Sequence, residues 1–475
     1  MYGFSNDIWL KLDILNVLLQ DSIFYSSTAI QTQLDYSNVE TIKKNCHIIN
    51  EELKESLDLK EDPIIINQRY GFKLEKDYNA MMHYKNYLFT KDFTYAIYIN
   101  AFFERKSLNL LADETYVSLS TLNRKVDEIN VLLESYDIYL EKWPYLRLRG
   151  NESTLRIFMF LSLNFIHGKI TNISWIQNSA HYINLARKVN MELNLGLYKH
   201  QIEGFALWFY IQEFCIGKNY ELSYMPRLNK ISAFLEYLPK PNSLTHWNDL
   251  EWEFFSLVYS VSNFFSDKSL ILIDEQLFKI IMTKESFIED YQKYFTPLSK
   301  KSLSVLLTAQ VNQLILSNFI NFDNWFVKRI FNLDFDKLSD EFKGISRIFE
   351  KTWEDFETHA KKRPTDYDKI YSYVLILSVI SLQEYKHSVS FFLRLNVGII
   401  FRKYIQQKIY FLLEQNYEVE FVEDEIWADI ILCNVGDYRN IERNAISISS
   451  VINQRDIKKI KRAVHDLEIS RFETL

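Results

Sequence analysis

The residues able to do covalent or metal chemistry are few and scattered. Cys46, Cys215 and Cys433 lie too far apart to read as a metal knuckle or a disulfide framework. His181, His246, His359 and His387 share no ligand spacing, and there is no Gly-rich phosphate loop, HExxH or nucleophile motif. No catalytic residue, metal or cofactor is therefore expected. What remains is binding chemistry. Thr41, Lys43, Lys44 and Asn45 follow one another on a short amphipathic pattern, and Thr121, Asn123, Arg124 and Lys125 do so on a second. Hydroxyl, amide and cationic side chains at the start of a helix are the groups that read base edges and phosphates.

The element carrying the first set is VETIKKNCHIINEEL, with Val39, Ile42, Cys46, Ile49 and Leu53 on one face and a capping box predicted from Ser37 and Glu40. It follows STAIQTQLD and a break at Tyr36 to Asn38. It precedes two β-prone runs, IIINQ and YGFKLE, around Arg69. Two helices, a tight turn and a hairpin make a winged helix-turn-helix. The pattern returns 80 positions later, carrying Ile42, Cys46, Ile49 and Leu53 onto Leu122, Val126, Ile129 and Leu133. Ser120 is the expected N-cap of the second copy and Ala112 its small packing residue. KWPYLRLRG supplies a second wing with Lys142, Arg147 and Arg149. Winged helices also dock proteins; two copies with Lys44 and Arg124 at matching positions favour DNA.

Composition limits that reading. The chain has 475 residues, a net charge of -7, 48% hydrophobic residues, 10 Gly and 7 Pro, so several helix-rich units are expected and extensive disorder is excluded. The first 150 residues hold 17 Lys and Arg against 22 Asp and Glu, a net of -5, so DNA binding should be modest and steeply weakened by salt. No apolar run approaches the roughly 18 residues of a membrane span, no signal peptide is expected, and the cysteine usage fits a reducing cytoplasm.

Downstream of Thr154 the periodicity is helical to about Tyr385, with loops at LPKPNS and KRPTD. WEFFSLVYSVSNFF and KIYSYVLILSVISL resemble each other enough to predict two related helical domains meeting near residue 275. His200 opens a strongly apolar helix, where an ordinary boundary residue is the plain reading. From Ser388 strands alternate with helices, which predicts a small parallel-sheet domain. Its first loop, Asn396 to Gly398, has no nucleophile, and Cys433 reads as a buried strand residue.

From Leu119 to Phe165, LSTLNRKVDEINVLLESYDIYLE and LRLRGNESTLRIFMFLSLNF, with Gly150, Asn151 and Glu152 leading into the next helix, resemble the Mga and AtxA family of virulence regulators of Gram-positive bacteria. The resemblance implies a mainly α, multidomain chain. Its parts are winged helix-turn-helix domains at 1–76 and 77–152, all-helical phosphotransferase-system regulation domains (PRDs) at 153–274 and 275–387, and an EIIB-like α/β domain at 388–475. It further implies a transcriptional regulator, usually an activator, that forms a homodimer or higher oligomer and binds double-stranded promoter DNA. Lys199 and His200 match the context of the phosphoacceptor histidine of the AtxA branch, which implies a phosphocarrier protein as partner. Where the family can carry a histidine in the second PRD this chain has Val374 to Val379, and its EIIB-like loop lacks the phosphocysteine. The alternatives are a phosphocarrier or an interaction scaffold that binds no DNA.

Overall fold

The computed structural model describes residues 3–35, 38–76, 78–220, 222, 235–262, 271–273, 287–317, 319–320, 322–330, 333–360, 364–414, 417–434, 445–449 and 451–473. The chain is mainly helical, with short hairpins and one parallel sheet near its C-terminus. It divides into two compact units. One comprises Met1–Thr283, Leu307–Asn332 and Thr365–Asp368; the other comprises Lys284–Leu306, Leu333–Pro364 and Lys369–Leu475.

The first unit opens with α1 (Asn6–Leu19), α2 (Ser27–Leu34), α3 (Val39–Ser56) and the antiparallel hairpin of β1 (Ile64–Asn67) and β2 (Gly71–Leu74). Asn38 caps α3, its side chain accepting from the amides of Glu40 and Thr41; the expected cap Ser37 lies with Tyr36 outside the described residues. Ile42, Cys46 and Ile49 are fully buried, as their spacing requires. Tyr25 pairs with Phe72 across the edge of the hairpin. At Gly71, with φ +100°, a Cβ would lie 2.1 Å from the Tyr25 carbonyl oxygen, so only glycine lets the two backbones approach this closely.

Next come α4 (Tyr78–Lys91), α5 (Phe93–Ile99), a π turn (Asn100–Glu104), α6 (Leu108–Thr115), α7 (Leu119–Leu133), and the hairpin of β3 (Tyr139–Glu141) and β4 (Arg147–Arg149). Leu122, Val126, Ile129 and Leu133 are fully buried. The cap of α7 is Ser118, whose hydroxyl accepts from the Thr121 amide, and not Ser120, because the helix already begins at Leu119. The repeat extends to polar anchors. Asn50 Oδ1 accepts from the Ile64 amide at 2.9 Å, and its counterpart Asn130 accepts from the Leu140 amide at 2.6 Å. Each recognition-type helix thus fixes its own wing with an asparagine.

The remainder of this unit includes α8 (Glu152–His167), α9 (Ser179–Glu192), α10 (Lys199–Gly217), β5 (Leu235–Tyr237), α11 (Asp249–Ser262) and β6 (Ile271–Ile273). Arg156 of α8 is fully buried and bonds Gln212 at 2.7 Å, Glu251 at 2.5 and 3.1 Å, the Tyr220 carbonyl at 2.7 Å and Glu152 at 3.0 Å. One guanidinium therefore joins α8 to α10 and α11. At the other end of α8, the His167 ring nitrogens lie 2.5 Å from Asn86 Nδ2 and 2.8 Å from the Tyr95 hydroxyl. Burial, aided by the Lys85 ammonium, lowers its pKa to about 4. The folded chain holds this ring neutral while the unfolded chain protonates it near pH 6.5, so its contribution is complete above that pH and is lost as pH falls toward 4. Lowering the pH from 7 to 5 is expected to cost about 1–2 kcal/mol through this group. Denaturation of the native chain and His167→Gln at both pH values checks it, because the variant should lose that part of the pH dependence.

The later helices are α12 (Phe287–Tyr294), α13 (Lys300–Leu316), α14 (Asn324–Ile330), α15 (Phe335–Glu341), α16 (Lys343–His359) and α17 (Asp366–Val379). In the second unit Phe287, Tyr291, Phe349, Trp353 and Tyr373 form an aromatic core. A separate core of the same unit lies under β7 (His387–Arg394), α18 (Ile399–Leu413), β8 (Tyr417–Phe421), β9 (Ile430–Cys433), β10 (Ala445–Ser447) and α19 (Gln454–Glu473). The strands are all parallel in the order β10-β9-β7-β8. Cys433, expected buried, ends β9 half-buried, its thiol 3.5 Å from the Ile446 carbonyl. Among the described residues no helix is long and apolar enough to cross a membrane.

Candidate nucleic-acid interface

The two recognition-type helices present their outward residues unequally. On α3, Lys43 and Lys44 are exposed and Thr41 is partly so. Lys43 is held by Glu40 at 2.7 Å. Asn45, expected to point outward, is instead 4% exposed, and its Nδ2 donates to the Thr41 carbonyl. The reason is geometric: Asn45 stands three residues from Ile42 and four from Ile49, within the buried stripe.

On α7, Arg124 is exposed, whereas Lys125 bonds Glu128 at 3.0 Å. Thr121 Oγ1 lies 2.8 Å from the Ser118 hydroxyl, and Asn123 Nδ2 donates to the Leu119 carbonyl at 3.0 Å. Lys142 of the wing pairs with Asp127 at 2.6 Å. The acids of this helix are therefore matched by neighbouring lysines. Of the candidate cations on the two helices, Lys44 and Arg124 have no ionic partner among the described residues. They stand 80 positions apart, at equivalent sites of the two copies.

The wing arginines face a different neighbourhood. Arg149 bonds Glu141 at 2.8 Å, and the Arg147 guanidinium lies 5.9 Å from the Tyr145 ring. The wing also carries exposed aromatics that the sequence reading left aside, Trp143 at 77% and Tyr145 at 47% exposure. Their signal was the WPY triplet inside a segment already read as a wing.

His200 is exposed on the first turn of α10, its ring stacked 5.9 Å from that of Tyr198. A cavity of about 470 Å³ nearby in the fold takes Lys199 but not His200 into its lining, together with Arg187, Asn190, Glu203 and apolar residues. The helix N-terminus favours negative charge at His200. The structure also brings together His181, Glu213 and His246: the carboxylate lies 3.0 Å from His246 Nε2 and 3.9 Å from His181 Nε2. Among the described residues no group of three or more His, Cys, Asp or Glu is arranged to hold a metal. Burial pushes the Cys46 thiol up to about 12 and the Cys215 thiol well above its ordinary value, which leaves both protonated at neutral pH.

No curated protein matches the chain. Residues 77–163 match the family model of the Mga helix-turn-helix domain, a span that takes in α6, α7, the β3–β4 hairpin and most of α8. The chain thus carries a Mga-type helix-turn-helix domain, consistent with a DNA-binding regulator of the Mga/AtxA type.

Proposed function

We propose that this chain is a cytoplasmic transcriptional regulator that binds promoter DNA through both winged helices, most often activates, and works as a homodimer or higher oligomer. The carrying observation is the pair of exposed cations Lys44 and Arg124, without ionic partners among the described residues, at equivalent positions of two duplicated helices. Such a pair supplies positive charge only where two helices meet a duplex, which reconciles the acidic balance of the first 150 residues with a nucleic-acid partner. The test is capture of fragments of the host genome by the full chain across a salt series. Recovery of a limited set of promoter fragments that falls steeply with salt is expected, and salt-independent or absent capture would instead favour a protein-docking scaffold.

In this reading residues 153–274 and 275–387 are PRDs and 388–475 an EIIB-like domain without phosphate chemistry. His200 is the phosphoacceptor, and the virulence-type output follows phosphotransferase signals. Support comes from the exposed ring in the first turn of α10, next in sequence to Lys199, where a phosphoryl group would add nearly two negative charges. Incubation with the general phosphotransferase proteins and labelled phosphoenolpyruvate should label the native chain and leave His200→Ala unlabelled. Equal labelling of both would remove His200 from this role.

A further inference from the structure

One face of the second wing gathers more positive charge than the described residues around it neutralise. Arg147 and Arg149, two apart on β4, share one face of the strand, with Leu148 buried on the other. Arg105 joins them from the end of the π turn: the Leu146 amide donates to the Lys106 carbonyl at 2.9 Å, which seats the residue after Arg105 against the entry to β4, and desolvation together with the charges of Arg147 and Arg149 lowers the proton affinity of Arg105. Arg105 is built into place. Its backbone is left-handed at φ +57°, a conformation bulky residues rarely adopt, and its guanidinium lies 3.8 Å from the centre of the Tyr220 ring.

The acceptors do not match the donors. Glu141 serves Arg149 alone among the three, at 2.8 and 2.9 Å. Glu152, the other carboxylate in range, is held by Arg156 at 3.0 Å. Arg105 and Arg147 have no hydrogen-bond acceptor among the described residues, and the Nε atoms of both are buried. Buried donors without acceptors cost free energy unless something supplies oxygen atoms, and guanidinium forks bind carboxylates and phosphates bidentately; with both carboxylates in range already held, a phosphate is the oxyanion that fits.

We propose that Arg105, Arg147 and Arg149 form a niche for a phosphate group, carried either by a small phosphorylated molecule or by the DNA backbone. The niche joins three parts of the first unit: the wing, the segment entering α6, and Tyr220 beyond the end of α10. A bound phosphate would therefore tie the wing to the helical domain that follows it.

Calorimetric titration of the full chain with inorganic phosphate at constant ionic strength tests the first source, and salt-dependent binding of a duplex tests the second. Saturable phosphate binding is expected, weakened about tenfold or more in Arg105→Ala and in Arg147→Ala and only partly restored by Arg105→Lys. If the native chain ignores free phosphate while Arg105→Ala lowers the salt slope of duplex binding by about one, the phosphate is that of DNA. A native chain that ignores free phosphate, with duplex binding indifferent to Arg105→Ala, Arg105→Lys and Arg147→Ala alike, overturns the niche. The calorimetric arm reads phosphate without DNA, so its result stands whether or not the chain captures promoters.

Discussion

Arg156→Leu is expected to destabilise the first unit by about 3–5 kcal/mol, measured by chemical denaturation followed by circular dichroism. The side chain is fully buried and satisfies Glu251, which is itself 4% exposed, along with Gln212, Glu152 and the Tyr220 carbonyl. Removing the cation leaves Glu251 a buried carboxylate without its partner. Desolvation already raises the Glu251 pKa, and the hydrogen bond and charge of Arg156 oppose it. Without Arg156 the folded chain holds the Glu251 proton more tightly than the unfolded chain does. Stability therefore falls as pH rises through and above the carboxylate range, and the loss should be larger at pH 8 than at pH 5. Pairing Arg156→Leu with Glu251→Leu should cost less than Arg156→Leu alone, because the apolar pair no longer strands the Glu251 charge and only the Glu152 carboxylate is left without its partner.

That arginine was not legible in the sequence, and the reason is general. Periodicity assigns charged residues to solvent, but α8 is buried on nearly every side, so the cation went inward and took its carboxylate from α11. The duplicated winged helices were legible because apolar residues at helical spacing recur intact at an offset of 80, together with Asn50 and Asn130. Asn45 was misplaced for the opposite reason to Arg156: its polarity outweighed its position in the stripe, yet an amide bonded to Thr41 is tolerated there. Ser120 lost the cap to Ser118 because two serines two apart compete and the start of the helix decides. The parallel sheet followed from Val, Ile and Phe runs alternating with helical patterns. His181, Glu213 and His246 lie on α9, on α10 and before α11, and no spacing rule links residues joined only by packing.

Replacing both Lys44 and Arg124 by alanine is expected to weaken promoter binding by about 2–4 kcal/mol, roughly thirty- to a thousandfold, with each single change giving about half. The two residues sit on separate helices, so their effects should add. Both are exposed and free of ionic partners among the described residues, so a duplex gains their full charge without breaking an ion pair. Lys43 and Lys125 provide the internal contrast. Each must first leave a glutamate, at 2.7 and 3.0 Å respectively, so Lys43→Ala and Lys125→Ala should cost less than their unpaired neighbours. Titration of a promoter duplex across a salt series separates the roles. If Lys44 and Arg124 neutralise phosphates, the double variant lowers the slope of log K against log salt by about two. If Arg124 reads a guanine edge, Arg124→Ala relaxes sequence preference while leaving nonspecific affinity nearly intact. Unchanged affinity in the double variant would remove Lys44 and Arg124 from the interface and leave the two helices only candidate cations already paired with glutamates.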